Sequence, residues 1–171
     1  MWDNQNIENV ETSSTAKNQA EQLIFLGVFL FFLGLLVGLV VPMLANPRMG
    51  LSSHIEGVMN GMLLIIIGLI WNRVKLSSKW LKITFWMAIY GTFANWFGIL
   101  VAAVFDAGKM LTIAAKGREG HPVAEGIVTF SLISLTLAML FVSVAILIGL
   151  ARKQKIRQLN KLKLFLFLTT I

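Results

Sequence analysis

Residues 23–44 read LIFLGVFLFFLGLLVGLVVPML, 22 positions without one ionisable side chain. A helix needs about 20 consecutive apolar residues to cross the hydrocarbon core of a bilayer. In lipid every backbone amide must find its partner inside the segment, which a helix provides. The stretch therefore predicts a membrane-spanning helix. Three more apolar runs follow, at 55–71 (interrupted only by Glu56), 83–105 and 127–151. The second reaches spanning length when its first turn, from Ser53, sits in the interface. The spans are thus expected at about 23–44, 53–71, 83–105 and 127–151. The predicted fold class is an all-α integral membrane protein, a four-transmembrane-helix bundle over 21–151. A polar, flexible segment at 1–20 precedes it and a basic tail at 152–171 follows.

The whole composition agrees. Of 171 residues, 57% are hydrophobic and 13% are charged. Soluble domains carry about 25% charged residues, so an ordinary soluble enzyme is excluded. The chain has no cysteine, which excludes disulfides, thiolate metal sites and cysteine nucleophiles. A cleavable signal peptide is not expected. The segment before Leu23 holds Asp3, Glu8, Glu11 and Glu21 against Lys17 alone, the wrong sign for its leading region.

A net charge of +7 would suggest nucleic acid in a soluble protein. Here its distribution points elsewhere. Residues 72–82 hold Arg73, Lys75, Lys79 and Lys82 and no acid. The tail holds Arg152, Lys153, Lys155, Arg157, Lys161 and Lys163 and no acid. The connections at 45–54 and 106–125 hold Arg48, and three bases balanced by three acids. Positive loops stay in the cytoplasm, so both termini are expected there. The tail is expected against anionic lipid headgroups, and no nucleic-acid partner is expected.

Small residues mark packing faces. Gly27, Gly34 and Gly38 lie in the first span, Gly57, Gly61 and Gly68 in the second, and Gly91, Gly98 and Ala102 in the third. Offsets of four and seven fall on one helical face, and such faces let membrane helices approach closely. No Gly-rich phosphate loop or GK[ST] sequence occurs.

Few polar residues lie within the spans, and those few are the candidates for chemistry. Ser53-His54-Ile55-Glu56 matches a capping box. That reading makes Ser53 the N-cap, turns Glu56 back to its amide and puts His54 on the first turn of span two. His54 is then either an interfacial residue or a metal or haem ligand. Glu56 and Asn60 share a face. Asn95, deep in span three, is hard to explain as packing, and Tyr90 precedes it by more than one turn. Asp106 and Glu125 are expected to cap helix ends in water. His121 is expected in a loop, where it remains conceivable as a second axial ligand. The segment 117–120 is expected to be flexible and able to cover a site.

Three stretches carry a family likeness: NPRMGLSSHIEGVMNGM at 46–62, YGTFANW at 90–96 and EGIVTF at 125–130. Together they resemble the hydroxylaminobenzene mutase family, small bacterial membrane proteins that rearrange hydroxylaminobenzene to 2-aminophenol. The likeness spans about 23–150. More distantly, His54 followed by Asn60-Gly61-Met62, with Ala94-Asn95, is similar to the styrene oxide isomerase pattern. That resemblance implies a homo-oligomer, a trimer, holding haem b between protomers. It implies His54 as the iron ligand, ferric iron as Lewis acid, and Asn60 as a substrate-orienting group. Two positions depart from the isomerase pattern. Ile99 stands where that pattern has a tyrosine and Gly91 where it has an aspartate, which argues against epoxide isomerisation. The resemblance thus implies an isomerase acting on a small aromatic substrate in a bacterial inner membrane. His54 would hold haem b, and Glu56, Asn60, Tyr90 and Asn95 would serve the chemistry. The competing readings are an epoxide isomerase, and a non-catalytic membrane haem-binding, electron-carrying or transport protein.

Overall fold

The computed structural model describes the backbone of residues 2–169 and the side chains of residues 14–154, 158 and 159. Its elements are α1 (Trp2–Val40), a 3₁₀ turn Val41–Met43, α2 (Pro47–Ile70), a 3₁₀ turn Trp71–Arg73, α3 (Ser78–Phe105), the single turn α4 (Thr112–Ala115) and α5 (Pro122–Thr169). Four helices are long and apolar enough to cross a membrane, within 14–43, 47–73, 78–105 and 122–154. The all-α, four-span membrane fold is therefore as the sequence predicts. Outward faces carry large apolar side chains such as Phe25, Leu39, Phe130, Leu137 and Leu147, which suit lipid and not water.

The boundaries differ from the expected ones for identifiable reasons. Residues 2–20 continue α1 rather than forming loop. Gln19 and Ala20 are buried, and Gln19 Oε1 accepts from the indole Nε1 of the fully buried Trp71 at 3.2 Å. The first helix stops at Val40 because Pro42 has no amide hydrogen to continue the ladder. The basic tail continues α5 without a break. The side chains of Lys155, Arg157, Lys161 and Lys163 lie outside the described residues.

The capping box does not form. α2 starts six residues earlier, at Pro47, with Asn46 as its N-cap. Asn46 Oδ1 accepts from the Met49 amide at 3.3 Å, and proline suits the first helical position. Asn46 also donates Nδ2 to Asp106 at 2.7 Å. Ser53 is therefore buried in mid-helix, and Glu56 lies in the third turn.

α1 packs chiefly on α2, α2 on α3 and α3 on α5, and α1 also meets α3 over a shorter stretch. The backbones of α1 and α5 do not approach each other closely among the described residues. The tightest join is α1 against α2. A methyl added to Gly57 would stand 2.6 Å from Gly34 Cα, and one added to Gly61 would stand 2.6 Å from the Phe31 amide nitrogen. Backbone lies on backbone, as small-residue membrane seams allow. α3 meets α5 where Gly98 faces Ser131. At one end Trp71, edge-on to Phe85 at 6.3 Å, plugs the space between α1, α2 and α3. There the Lys75 amide also bonds the Gly149 carbonyl at 3.0 Å.

The opposite end is closed by the loop between α3 and α5. Asp106 ends α3 in the left-handed conformation and takes bonds from Asn46 and, at 3.0 Å, from Arg118. Glu125 is buried, 7% exposed. Instead of capping a helix in water, it accepts from the amides of Lys109 at 3.1 Å and Gly120 at 2.8 Å. His121 accepts at Nδ1 from the Val123 amide at 3.3 Å, so it serves the start of α5.

Three outcomes test this packing. Gly34→Leu drives a side chain into the α2 backbone and lowers stability by about 1–3 kcal/mol, read as a lower unfolding midpoint in detergent. Gly126→Ala, where an added methyl meets nothing within 4 Å, leaves the midpoint unchanged or raises it. Glu125→Ala frees the two loop amides, so hydrogen exchange at Lys109 and Gly120 accelerates while exchange in the helix interiors does not.

Candidate functional site

The polar residues of the spans gather around Glu56. Glu56 and Asn60 stand four apart on α2, so their side chains meet on one face. Asn60 Nδ2 donates to Glu56 Oε2 at 3.1 Å. α3 brings Asn95 to the same atom, with Nδ2 donating at 2.5 Å. Asn60 is 8% exposed, and Glu56 and Asn95 are half-buried. The α2–α3 register that makes this possible is fixed one turn away, where the Ser53 hydroxyl donates to the Trp96 carbonyl at 3.4 Å. Both amide donors fall on Oε2. Oε1 takes no protein hydrogen bond among the described residues. The result is one carboxylate oxygen anchored by two amides and the other left free to bind or move a proton.

His54 is prepared differently. Its Nδ1 lies 2.8 Å from the Gly34 carbonyl oxygen. A carbonyl only accepts, so the neutral ring carries its proton on Nδ1 and leaves the Nε2 lone pair unprotonated. A backbone carbonyl holding one imidazole nitrogen is the usual means of orienting the other toward a metal. The ring also needs bare backbone beside it. A methyl on Gly38 would stand 2.7 Å from His54 Nδ1, so only glycine leaves that room. Half-buried, with Nε2 free of protein partners among the described residues, His54 could hold a metal centre through that nitrogen.

The structure does not bring all the expected site residues together. His54 and Glu56 are two apart, about 200° around the helix. His54 turns to α1, whereas Glu56 and Asn60 turn to α3. Tyr90 is on yet another side of the bundle. Its hydroxyl pairs with Ser134 Oγ of α5 at 2.6 Å, and it is 41% exposed, away from Asn95. His121 stays at the loop end, and its accepting Nδ1 puts the neutral ring's proton on Nε2, unlike His54.

Three residues contribute to the site in ways the sequence did not assign. Gly34 and Gly38 read only as packing residues, yet one orients the His54 ring and the other makes room for it. Trp96 read as an ordinary aromatic. Its Nε1 is buried without a partner among the described residues, and its Cδ1 lies 2.8 Å from where a methyl on Gly57 would sit. A buried donor left unpaired is rare enough to mark a place of interest. No local sequence signal announces it, because it arises only when three helices meet.

Comparison with known proteins gives this geometry a context. The profile of the styrene oxide isomerase family matches residues 19–151. The chain is 49% identical over 142 residues to the hydroxylaminobenzene mutase HabB of Ectopseudomonas oleovorans, covering 82% of this chain and 87% of that one. It is 48% identical over 127 residues to the hydroxylaminobenzene mutase HabA of the same organism, covering 74% of this chain and 94% of that one. No solved structure matches. The chain belongs to the styrene oxide isomerase family, as a membrane-embedded isomerase of the intramolecular-transferase kind.

Proposed function

We propose that this protein rearranges an arylhydroxylamine, such as hydroxylaminobenzene, to the 2-aminophenol. The observation that carries the reading is the near-half identity to two hydroxylaminobenzene mutases over most of both chains. The geometry supplies a role for particular residues.

The reaction is redox-neutral overall. The N–O bond breaks, a C–O bond forms at the ortho carbon, the ring loses its ortho proton, and the nitrogen gains one. One group that accepts and then returns a proton therefore suffices. Glu56 is that group in this reading. Its Oε1 takes the proton from the ortho carbon and delivers it to nitrogen, while Asn60 and Asn95 hold Oε2 in place. Apolar walls keep water from capturing the cationic ring before oxygen returns. The apolar substrate reaches the site from the bilayer. The fit of His54 supports it as the ligand of haem b through Nε2. Bound there, haem iron supplies Lewis acidity toward the hydroxylamine oxygen. Tyr90, paired with Ser134, has no direct part in this scheme.

Because His54 and Glu56 occupy different faces of α2, the reading includes a homo-oligomer, a trimer, in which one copy's His54 serves the carboxylate cluster of another. The charge distribution supports placement in a bacterial cytoplasmic membrane with both termini inside.

The test is an absorption spectrum and a product assay on protein purified in detergent from haem-replete cells. A Soret band and conversion of hydroxylaminobenzene to 2-aminophenol are expected, and His54→Ala loses both. Activity without a Soret band would remove haem from the scheme. A Soret band without 2-aminophenol would remove the mutase reaction. Glu56→Gln keeps the Soret band and lowers kcat by about 10²–10⁴-fold, the usual worth of a positioned proton-transfer group. An unchanged kcat in this variant would take the proton shuttle away from Glu56.

A further inference from the structure

Arg73 and Lys153, far apart in the sequence, line one cleft. It has a volume of about 460 Å³ and is completed by Leu150 and Gln154. Arg73 closes the second apolar span and Gln154 closes the fourth, so the cleft lies at the level of the lipid headgroups. The Lys75 amide bond to the Gly149 carbonyl, 3.0 Å, ties the connection before α3 to α5 and holds the two walls together. Lys153 is half-buried. Neither cation has an ion-pair partner among the described residues, where the single ion pair joins Arg118 to Asp106 at the far end.

Arg73 is exposed and Lys153 half-buried, so the cleft presents two cations at a rim that an anion can reach, and an anion there offsets their mutual repulsion. The two segments that meet here, 72–82 and 152–171, contain ten bases and no acid, so the chain supplies no local counter-charge. A surface serving only to set topology needs bases near the span ends, but not converging on one cavity. The occupant must be anionic, sit at headgroup depth and tolerate an apolar wall at Leu150. A phospholipid phosphate meets all three conditions. Basic pockets between transmembrane helices bind anionic headgroups in this manner.

We infer that the Arg73–Lys153 cleft is a binding site for the phosphate of an anionic phospholipid, with Gln154 donating a further hydrogen bond and Leu150 contacting the first acyl carbons. The site is separate from the Glu56 cluster and does not depend on the reaction proposed above. Its occupancy neutralises the repulsion between the connection before α3 and the end of the fourth span.

Delipidated full-length protein is mixed with phosphatidylglycerol, cardiolipin, phosphatidylcholine or inorganic phosphate, and bound lipid is counted by native mass spectrometry. Phosphatidylglycerol and cardiolipin adducts are expected, phosphatidylcholine adducts are not, and phosphate at the same concentration does not displace the lipid. The double variant R73Q/K153Q loses about ten-fold or more in anionic lipid affinity. The variant K79Q/K82Q, with equal charge loss outside the cleft, keeps it. Circular dichroism confirms that both variants retain their helices. Equal losses in the two variants would overturn the site in favour of a diffuse basic surface. Displacement by inorganic phosphate alone would overturn the lipid as occupant.

Discussion

The contact between the backbones of Gly34 and Gly57 sets the rest of this molecule. In lipid no hydrophobic force draws one apolar helix to another, so close packing of small residues must do it. The seam runs from Gly68 near one end to Gly38 near the other, and it fixes the register of α2 on α1. That register delivers the Gly34 carbonyl to His54 Nδ1 and the bare Gly38 backbone to the ring face. Gly57 also abuts Trp96, so the same residue passes the register on to α3. Asn95 then arrives at Glu56. Site geometry here follows from glycine placement.

The polar cluster is not what holds the helices together. Interhelical hydrogen bonds in membrane proteins average about 0.6 kcal/mol, less than the cost of a misplaced methyl in the seam. A carboxyl and two amides in an apolar bundle are therefore poorly explained as structural cement. The ordinary polar residues of the spans behave otherwise. Thr84, Thr92, Thr136 and Ser143 each donate to a carbonyl one turn back on their own helix, satisfied locally and without tertiary consequence. Glu56, Asn60 and Asn95 look to one another across helices.

What could be read from sequence divides along the range of the interactions. The four spans were legible because the bilayer imposes length and hydropathy on each segment separately. The glycine faces were legible because offsets of four and seven are intrinsic to a helix, as was the Glu56–Asn60 pairing. The start of α2 was misread because two signals competed. Ser53 with Glu56 matches a local capping pattern, but Asn46 followed by Pro47 also caps locally and gains Asp106, 60 residues away. The tertiary bond decides between them. The bonds from the Lys109 and Gly120 amides to Glu125 were not legible for a similar reason, since no composition reveals a backbone partner. The partner of Asn95, Glu56 on another helix, was not legible. Tyr90 was suspected on proximity in sequence, and helix rotation sends it to Ser134 instead.

Scarcity selected the candidate residues, yet scarcity says nothing about which of them are neighbours. The atoms left without protein partners are more discriminating. His54 uses Nδ1 and leaves Nε2, Glu56 uses Oε2 and leaves Oε1, and Trp96 has a buried Nε1 with no acceptor. In an apolar medium an unmet donor or acceptor is costly, and neighbouring side chains in this fold have met theirs. A ligand atom at Nε2 and a proton donor at Oε1 would each relieve such a cost. The two side chains stand on different faces of α2, His54 toward α1 and Glu56 toward α3. Both side chains nonetheless depend on one seam, because the register of α2 on α1 and α3 sets where each of them sits.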